Sequence, residues 1–253
     1  MTLINTNKVN FKNFEEESYN EKFIIFLFSF LPISLILGNS IINLNILIID
    51  SFFLFVCYRQ KKWSWINNKY FYFFISIWVY LILNSIFSAN VITSTFDYIE
   101  QHKVYPQKDS VIRSIGFIRF VIFLFAVQYF FTNSKKTFNQ IFLYWSMIVF
   151  IVLVDIIFES IFDFNLLGFR SSNTNRIVSF FKDELVVGGF VLGFSFLTSG
   201  YLFKFIKNDL KKKLFANIFF ILTIICIYLS GERANFIKAI ISALIKFDLS
   251  PDK

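Results

Sequence analysis

Arginine grips phosphate groups better than any other side chain, because its planar guanidinium offers parallel N–H donors that match two oxygens at once. Two arginines of this chain stand where such a grip is chemically plausible: Arg176 in RIVSFFKDELVVGGF (176–190) and Arg233 in YLSGERANF (228–236). Each interrupts apolar sequence, and each has an acid nearby, Glu184 beside Asp183 in the first stretch and Glu232 in the second. The Ser230–Gly231 pair reads as a turn and cap, which puts Arg233 in the first turn of the next helix. A cation is disfavoured there by the helix dipole, whereas a bound anion would meet free N–H groups. Arg170, in the same loop as Arg176, is a third candidate. A purely local reading of these residues stands beside the anion reading. Asp183 and Glu184 suit a helix start, Glu232 and Arg233 suit an ion pair, and Gly189 with Gly193 suits close helix packing.

Four more charges, Asp50, Arg119, Asp155 and Glu159, fall inside apolar segments. Each costs at least ~2.5–3.5 kcal/mol near a bilayer centre, so partners are expected. At 1.5 Å per residue, Arg119 and Asp155 lie at a similar depth, roughly 10 Å from one helix end. Glu159 is one turn from Asp155 on the same face. The expected pairs are Arg119 with Asp155 and Arg113 with Glu159. Such pairs either lock neighbouring helices together or line a polar site open to one membrane face.

The elements that must carry these residues are apolar helices. The 253 residues are 56% hydrophobic, with a mean hydropathy of +0.62. The apolar residues come in long blocks, which reads as a polytopic membrane protein whose spans are helical, since an open sheet leaves its backbone unsatisfied in lipid. About eight segments are expected, near 22–38, 41–58, 70–87, 113–131, 140–162, 184–203, 214–229 and 233–247. The fold class expected is therefore an all-α transmembrane bundle over 22–247, between a polar tail at 1–21 and a short tail at 248–253. The formal charge of +8 is concentrated in alternate connections: Arg59, Lys61, Lys62 and Lys69; Lys135 and Lys136; Lys204, Lys207, Lys211, Lys212 and Lys213. That is the positive-inside pattern, with a cytoplasmic N-terminus, and it argues against nucleic acid as the partner of the basic residues. Loops 88–112 and 163–183 and the Ser230–Glu232 turn then share the opposite face. One histidine, His102, excludes a His-rich metal site, and residues 1–21 lack the form of a signal peptide. Cys57 and Cys226 are expected near opposite membrane faces and so unbridged.

NRIVSFFKDELVVGGF followed about forty residues later by LSGERANF resembles the O-antigen ligase and polysaccharide polymerase superfamily. The shared pattern is Arg-x-x-Ser, an acidic pair before a glycine-bearing helix, and then Ser-Gly-Glu-Arg. VDIIFESIFDFNLLGF (154–169) is also similar to that family, and the resemblance runs over roughly 110–240. It implies a many-helix, metal-independent glycosyltransferase of the bacterial inner membrane with no cofactor. Such an enzyme moves a glycan from an undecaprenyl-pyrophosphate carrier, at the periplasmic face, to lipid A core or a growing glycan. By motif position, Arg176 and Arg233 would hold the pyrophosphate, with Glu184 and Glu232 orienting them.

The resemblance also implies more than this sequence carries. In the family, further helices and a periplasmic loop with a catalytic histidine follow the Ser-Gly-Glu-Arg motif, whereas this sequence runs only to FDLSPDK, and His102 lies too early to be that residue. The expectation is the front part of a family member, with no catalytic residue assigned. Two other classes stay open: a transporter or channel subunit using the intramembrane charges, and a non-enzymatic scaffold that completes a site with a second polypeptide.

Overall fold

The computed structural model describes residues 21–92, 107–133, 135–170, 176–181, 186–202, 206 and 209–248. These residues are all-helical. The helices are α1 (21–29), α2 (Leu31–Ile36), α3 (Asn39–Gln60), α4 (Lys69–Ile92), α5 (Gln107–Gly116), α6 (Ile118–Asn133), α7 (Lys135–Phe162), α8 (Val187–Leu202), α9 (Asp209–Leu229) and α10 (Arg233–Asp248). Short 3-10 turns lie at Ser64–Asn67 and Ser179–Phe181.

Four stretches are long and apolar enough to cross a membrane: Asn39–Gln60, Lys69–Phe87, Asp109–Thr132 and Phe138–Phe162. They match the second to fifth expected segments. The first, 22–38, is broken into α1 and α2, and the cause is Pro32. Proline has no N–H to give to the carbonyl four residues back, which is that of Phe28. The orphaned carbonyl instead accepts from the Trp145 indole at 2.8 Å. Val187–Leu202 and Asn217–Leu229, in the sixth and seventh segments, are apolar but shorter. The eighth is α10. Within Asp109–Thr132, α5 ends at Gly116 and α6 starts at Ile118. Carbonyls freed at that break accept from the Trp78 indole, Ser114 at 3.0 Å and Ile115 at 3.2 Å. In lipid such carbonyls have no water to turn to, so the tryptophan makes the break tolerable.

The chain groups into two compact units, Asn43–Ser134 and a larger one made of Met1–Ile42 with Lys135–Lys253. In the smaller unit α4 packs on α5 and α6. Its core is aromatic: Trp65 lies 5.2 Å from Phe71, 5.4 Å from Phe53 and 5.5 Å from Phe125, centroid to centroid. In the larger unit α7 packs on α8 and α9, and α10 closes on α8 and α9. Val149, Leu153 and Ile156 of α7, Val187 and Val191 of α8 and Ile227 of α9 form its fully buried centre. Cys57 and Cys226 are buried free thiols.

Candidate functional site: an arginine-lined cavity at the α9–α10 turn

The α9–α10 turn is built by its sequence. Gly231 takes a φ of +73°, a left-handed conformation that L side chains rarely adopt, and its N–H bonds the Tyr228 carbonyl at 3.0 Å. The expected capping of α10 by Ser230 is not what forms. The Ser230 hydroxyl turns back to donate to the Ile227 carbonyl at 2.7 Å, so it serves the end of α9. Glu232 precedes α10 instead, and its carbonyl accepts the first helical bond, from Phe236 N at 3.0 Å. Arg233 is thereby the first residue of α10, as expected, and no acid stands in that first turn.

Glu232 also ties this turn to α8. One carboxylate oxygen accepts from the Gly188 N–H at 2.7 Å and the other from the Asn235 amide. It thus neutralises the exposed donor end of α8, a favourable place for a carboxylate. Its expected task was to orient an arginine. The bonds it makes position two helix ends. Gly188 is required by this approach, since a Cβ there would lie 2.9 Å from Ser230 Oγ and 3.0 Å from Glu232 Cδ. The close-packing glycine of α8 is therefore Gly188. Gly193 has nothing within 4 Å of a built Cβ, and Gly189 meets only the Asn235 amide at 3.4 Å.

Arg176 arrives at the same turn from the α7–α8 connection. Its Cγ lies 3.1 Å, and its Nε 3.7 Å, from where a Gly231 Cβ would stand, so its stem lies over the glycine. Arg176 and Arg233 both line one cavity of about 840 Å³. Glu232 and Asn235 add polar lining, and Ile227, Tyr228, Gly231, Ala234 and Phe236 supply the rest. Both arginines are exposed, and neither has a hydrogen-bond or ion-pair partner among the described residues. Two arginines thus share the cavity lining with one carboxylate that is already engaged, at the N-terminal end of α10. Arginine side chains beside a helix N-terminus are the kind of group that pairs with anionic oxygens, and the aromatic and aliphatic lining is the kind that packs on apolar groups.

The other expected residues fall elsewhere. Arg170 is exposed and does not line the cavity. Glu184 lies outside the described residues, as do Asp183 and His102. Asp155 and Glu159 are buried in the larger unit, whereas Arg113 and Arg119 belong to the smaller one, so neither expected ion pair is a contact within a unit. Both acids are already satisfied by the α7–α8 connection. Asp155 accepts from Leu166 N at 2.7 Å and from the Ser179 hydroxyl at 2.5 Å. Glu159 accepts from Ser179 N at 2.6 Å and Val178 N at 3.4 Å. Asn165 adds a third tie, donating to the Ser179 carbonyl at 3.0 Å while accepting from Leu167 N and Phe169 N. In the smaller unit Arg119 is the cation whose field reaches Asp50, and its guanidinium stacks 4.9 Å from the Phe120 ring centre.

Sequence reasoning did not single out Ser179, Asn165, Asn235 or Gly188. The available signal was FDFNLLGF, where an asparagine three residues past the end of α7 and a glycine three further on mark a folded turn. Among the described residues no three His, Cys, Asp or Glu side chains gather into a group able to hold a metal ion. Comparisons with protein-family models, with curated proteins and with solved structures give no match to this chain.

Proposed function

We propose that this chain is a bacterial inner-membrane protein of cell-surface polysaccharide assembly, which binds the pyrophosphate of an undecaprenyl-pyrophosphate-linked glycan between Arg176 and Arg233. The observation that carries the reading is the shared cavity, lined by two arginines without a partner among the described residues and by a helix N-terminus, together with aromatic and aliphatic surface. A soluble phosphate needs only the polar lining, whereas a lipid pyrophosphate uses the apolar surface as well. The reaction class that fits is glycosyl transfer of the O-antigen ligase or polymerase kind, onto lipid A core or a growing glycan. There the sugar–pyrophosphate bond breaks, and the arginines hold the negative charge gathering on the leaving pyrophosphate. The resemblance in sequence motifs supports the same reading. So does the alternation of basic connections, which suits eight crossings with a cytoplasmic N-terminus and a periplasmic cavity.

Two measurements test this. The full chain in nanodiscs is titrated with undecaprenyl pyrophosphate, undecaprenol and inorganic pyrophosphate. The reading predicts tight binding of the first and weak binding of the other two. Equal affinity for undecaprenol would remove the arginines from recognition, and equal affinity for inorganic pyrophosphate would remove the lipid. Topology is checked with an impermeant maleimide in cells with a permeabilised outer membrane, using Arg170→Cys and Lys211→Cys, since the native thiols are buried. Labelling at 170 and not at 211 is expected, and the reverse pattern puts the cavity on the wrong face.

One observation favours a second reading. Asp50 is buried, and neither carboxylate oxygen has a hydrogen-bond partner among the described residues. An unsatisfied acid inside a membrane helix suits a proton or ion path, as in a transporter subunit. Proton flux into liposomes that is lost in Asp50→Asn, together with no pyrophosphate binding, would favour that class.

A further inference from the structure

Arg176 lies on a connection that has no regular structure of its own at that point, yet its stem is placed to within van der Waals contact of Gly231. A residue on an unsupported loop would sample many positions, so something must fix the backbone just beyond it. The fixing atoms are on α7. The two oxygens of Glu159 take the consecutive N–H groups of Val178 and Ser179, two and three residues past Arg176. Asp155, one turn earlier on the same helix face, takes the Ser179 hydroxyl and, through its other oxygen, Leu166 N on the near limb of the connection. Asn165 bonds the Ser179 carbonyl. Ser179 is therefore held at its N–H, its hydroxyl and its carbonyl. It needs to be, because its φ is +50°, a left-handed conformation that costs a non-glycine residue roughly 1 kcal/mol or more and persists only where the surroundings enforce it.

We infer that Asp155 and Glu159 are positioning residues for Arg176: a carboxylate clamp on α7 that holds the Val178–Ser179 backbone and so presents the Arg176 guanidinium to the cavity. The two acids act unequally. Both donors to Glu159 are backbone N–H groups, which cannot reverse. A glutamine there has one oxygen and one NH₂, so it accepts one bond and turns a donor against the other. Asp155 faces one backbone N–H and one hydroxyl. The hydroxyl can rotate to accept from an asparagine, so Asp155→Asn keeps both contacts. Glu159→Gln is thus the damaging isostere and Asp155→Asn the mild one, an order opposite to that expected from depth in the membrane alone.

The clamp rests on the pyrophosphate reading in one arm of its test only. In the first arm no ligand is used. Nitroxide labels are placed on the full chain at Arg176→Cys and Ala234→Cys, and the label–label distance is measured by pulsed electron paramagnetic resonance with Glu159 and with Glu159→Gln. The buried native cysteines stay unlabelled. A narrow distribution that broadens in Glu159→Gln and stays narrow in Asp155→Asn supports the clamp. Unchanged distributions in both variants overturn it. In the second arm, undecaprenyl pyrophosphate affinity is measured for Glu159→Gln, Arg176→Lys and the two together. Glu159→Gln alone should weaken binding roughly five- to tenfold, the worth of about one lost hydrogen bond. If Glu159 acts through Arg176, that loss shrinks towards nothing when residue 176 is lysine. The same fold-loss on both backgrounds would make Glu159 a structural residue only and overturn the inference. Absence of lipid binding by the unaltered chain would count against the pyrophosphate reading, while the label distances still decide the clamp.

Discussion

The two units treat a buried carboxylate in opposite ways. In the larger unit Asp155 and Glu159 are 0% and 5% exposed, and all four of their oxygens accept hydrogen bonds from the connection that folds back over them. In the smaller unit Asp50 is 4% exposed, yet both its oxygens lack a hydrogen bond among the described residues, as does Arg119 Nε. The difference lies in what surrounds the acids. Residues 163–170 and 176–179 supply irregular backbone, whose N–H groups are not committed to a helix ladder. Asp50 lies in the middle of α3, whose backbone N–H groups are committed to the helix ladder, and the buried donors Arg119 Nε and Trp65 Nε1 do not bond it. A buried acid is thus a fastening where a loop reaches it, and at Asp50, in mid-helix, an acid opposed by a cation's field without a hydrogen bond.

The contrast can be broken or sharpened by substitution, starting with the largest effect. Removing Phe53, fully buried among Trp65, Tyr129 and Phe130, should cost about 3–5 kcal/mol as Phe53→Ala, because the smaller unit relies on ring packing. Thermal unfolding in detergent micelles measures it, and a loss below about 1 kcal/mol would deny the aromatic core its role. Next, Asp155→Leu leaves the Leu166 N–H and the Ser179 hydroxyl without their acceptor and should cost about 3 kcal/mol. Asp50→Leu removes no hydrogen bond but leaves Arg119 without the carboxylate its field reaches, and should cost less, about 1–2 kcal/mol. Equal losses at the two sites would erase the comparison. Combining Arg119→Leu with Asp155→Leu should give additive losses within about 0.5 kcal/mol, since Asp155 is satisfied by Leu166 N and the Ser179 hydroxyl while the field of Arg119 falls on Asp50. A double variant much milder than the sum would restore the Arg119–Asp155 pair.

Smaller effects separate the glycines of α8. Gly188→Ala drives a methyl against Ser230 Oγ and Glu232 Cδ and should cost about 1–3 kcal/mol. Gly193→Ala meets open space inside a helix and should be neutral or stabilise by up to about 1 kcal/mol. Reversed signs would place the close helix contact where the Gly189–Gly193 spacing alone would put it.

These outcomes also show why some features were legible in the sequence and others were not. Apolar block length gives α3, α4 and α7 directly, because a helix must satisfy its own backbone in lipid. The break at Pro32 was available in principle, but whether a proline kinks or splits a helix depends on a distant donor, here Trp145. Arg176 and Arg233 were legible from residue type and from an unfavourable helix position, and the structure brings both to one cavity. The partners of Asp155 and Glu159 were not legible. An expectation that a buried acid seeks a cation overlooks backbone N–H groups, and nothing in the periodicity announces that residues 176–181 return to α7. Glu232 was likewise read for its charge, while its position between two helix starts is a tertiary fact.

The central claim is that Arg176 and Arg233 grip one lipid pyrophosphate, and its most direct test is affinity for undecaprenyl pyrophosphate across three lysine variants of the full chain in nanodiscs. Lysine keeps the charge and loses the fork, so Arg176→Lys and Arg233→Lys should each weaken binding roughly tenfold or more. Arg113→Lys, at a residue that does not line the cavity, should bind as tightly as the unaltered chain. Unchanged affinity in both cavity variants, with their unfolding temperatures preserved, would contradict the account and leave the two arginines as surface charges beside a structural turn.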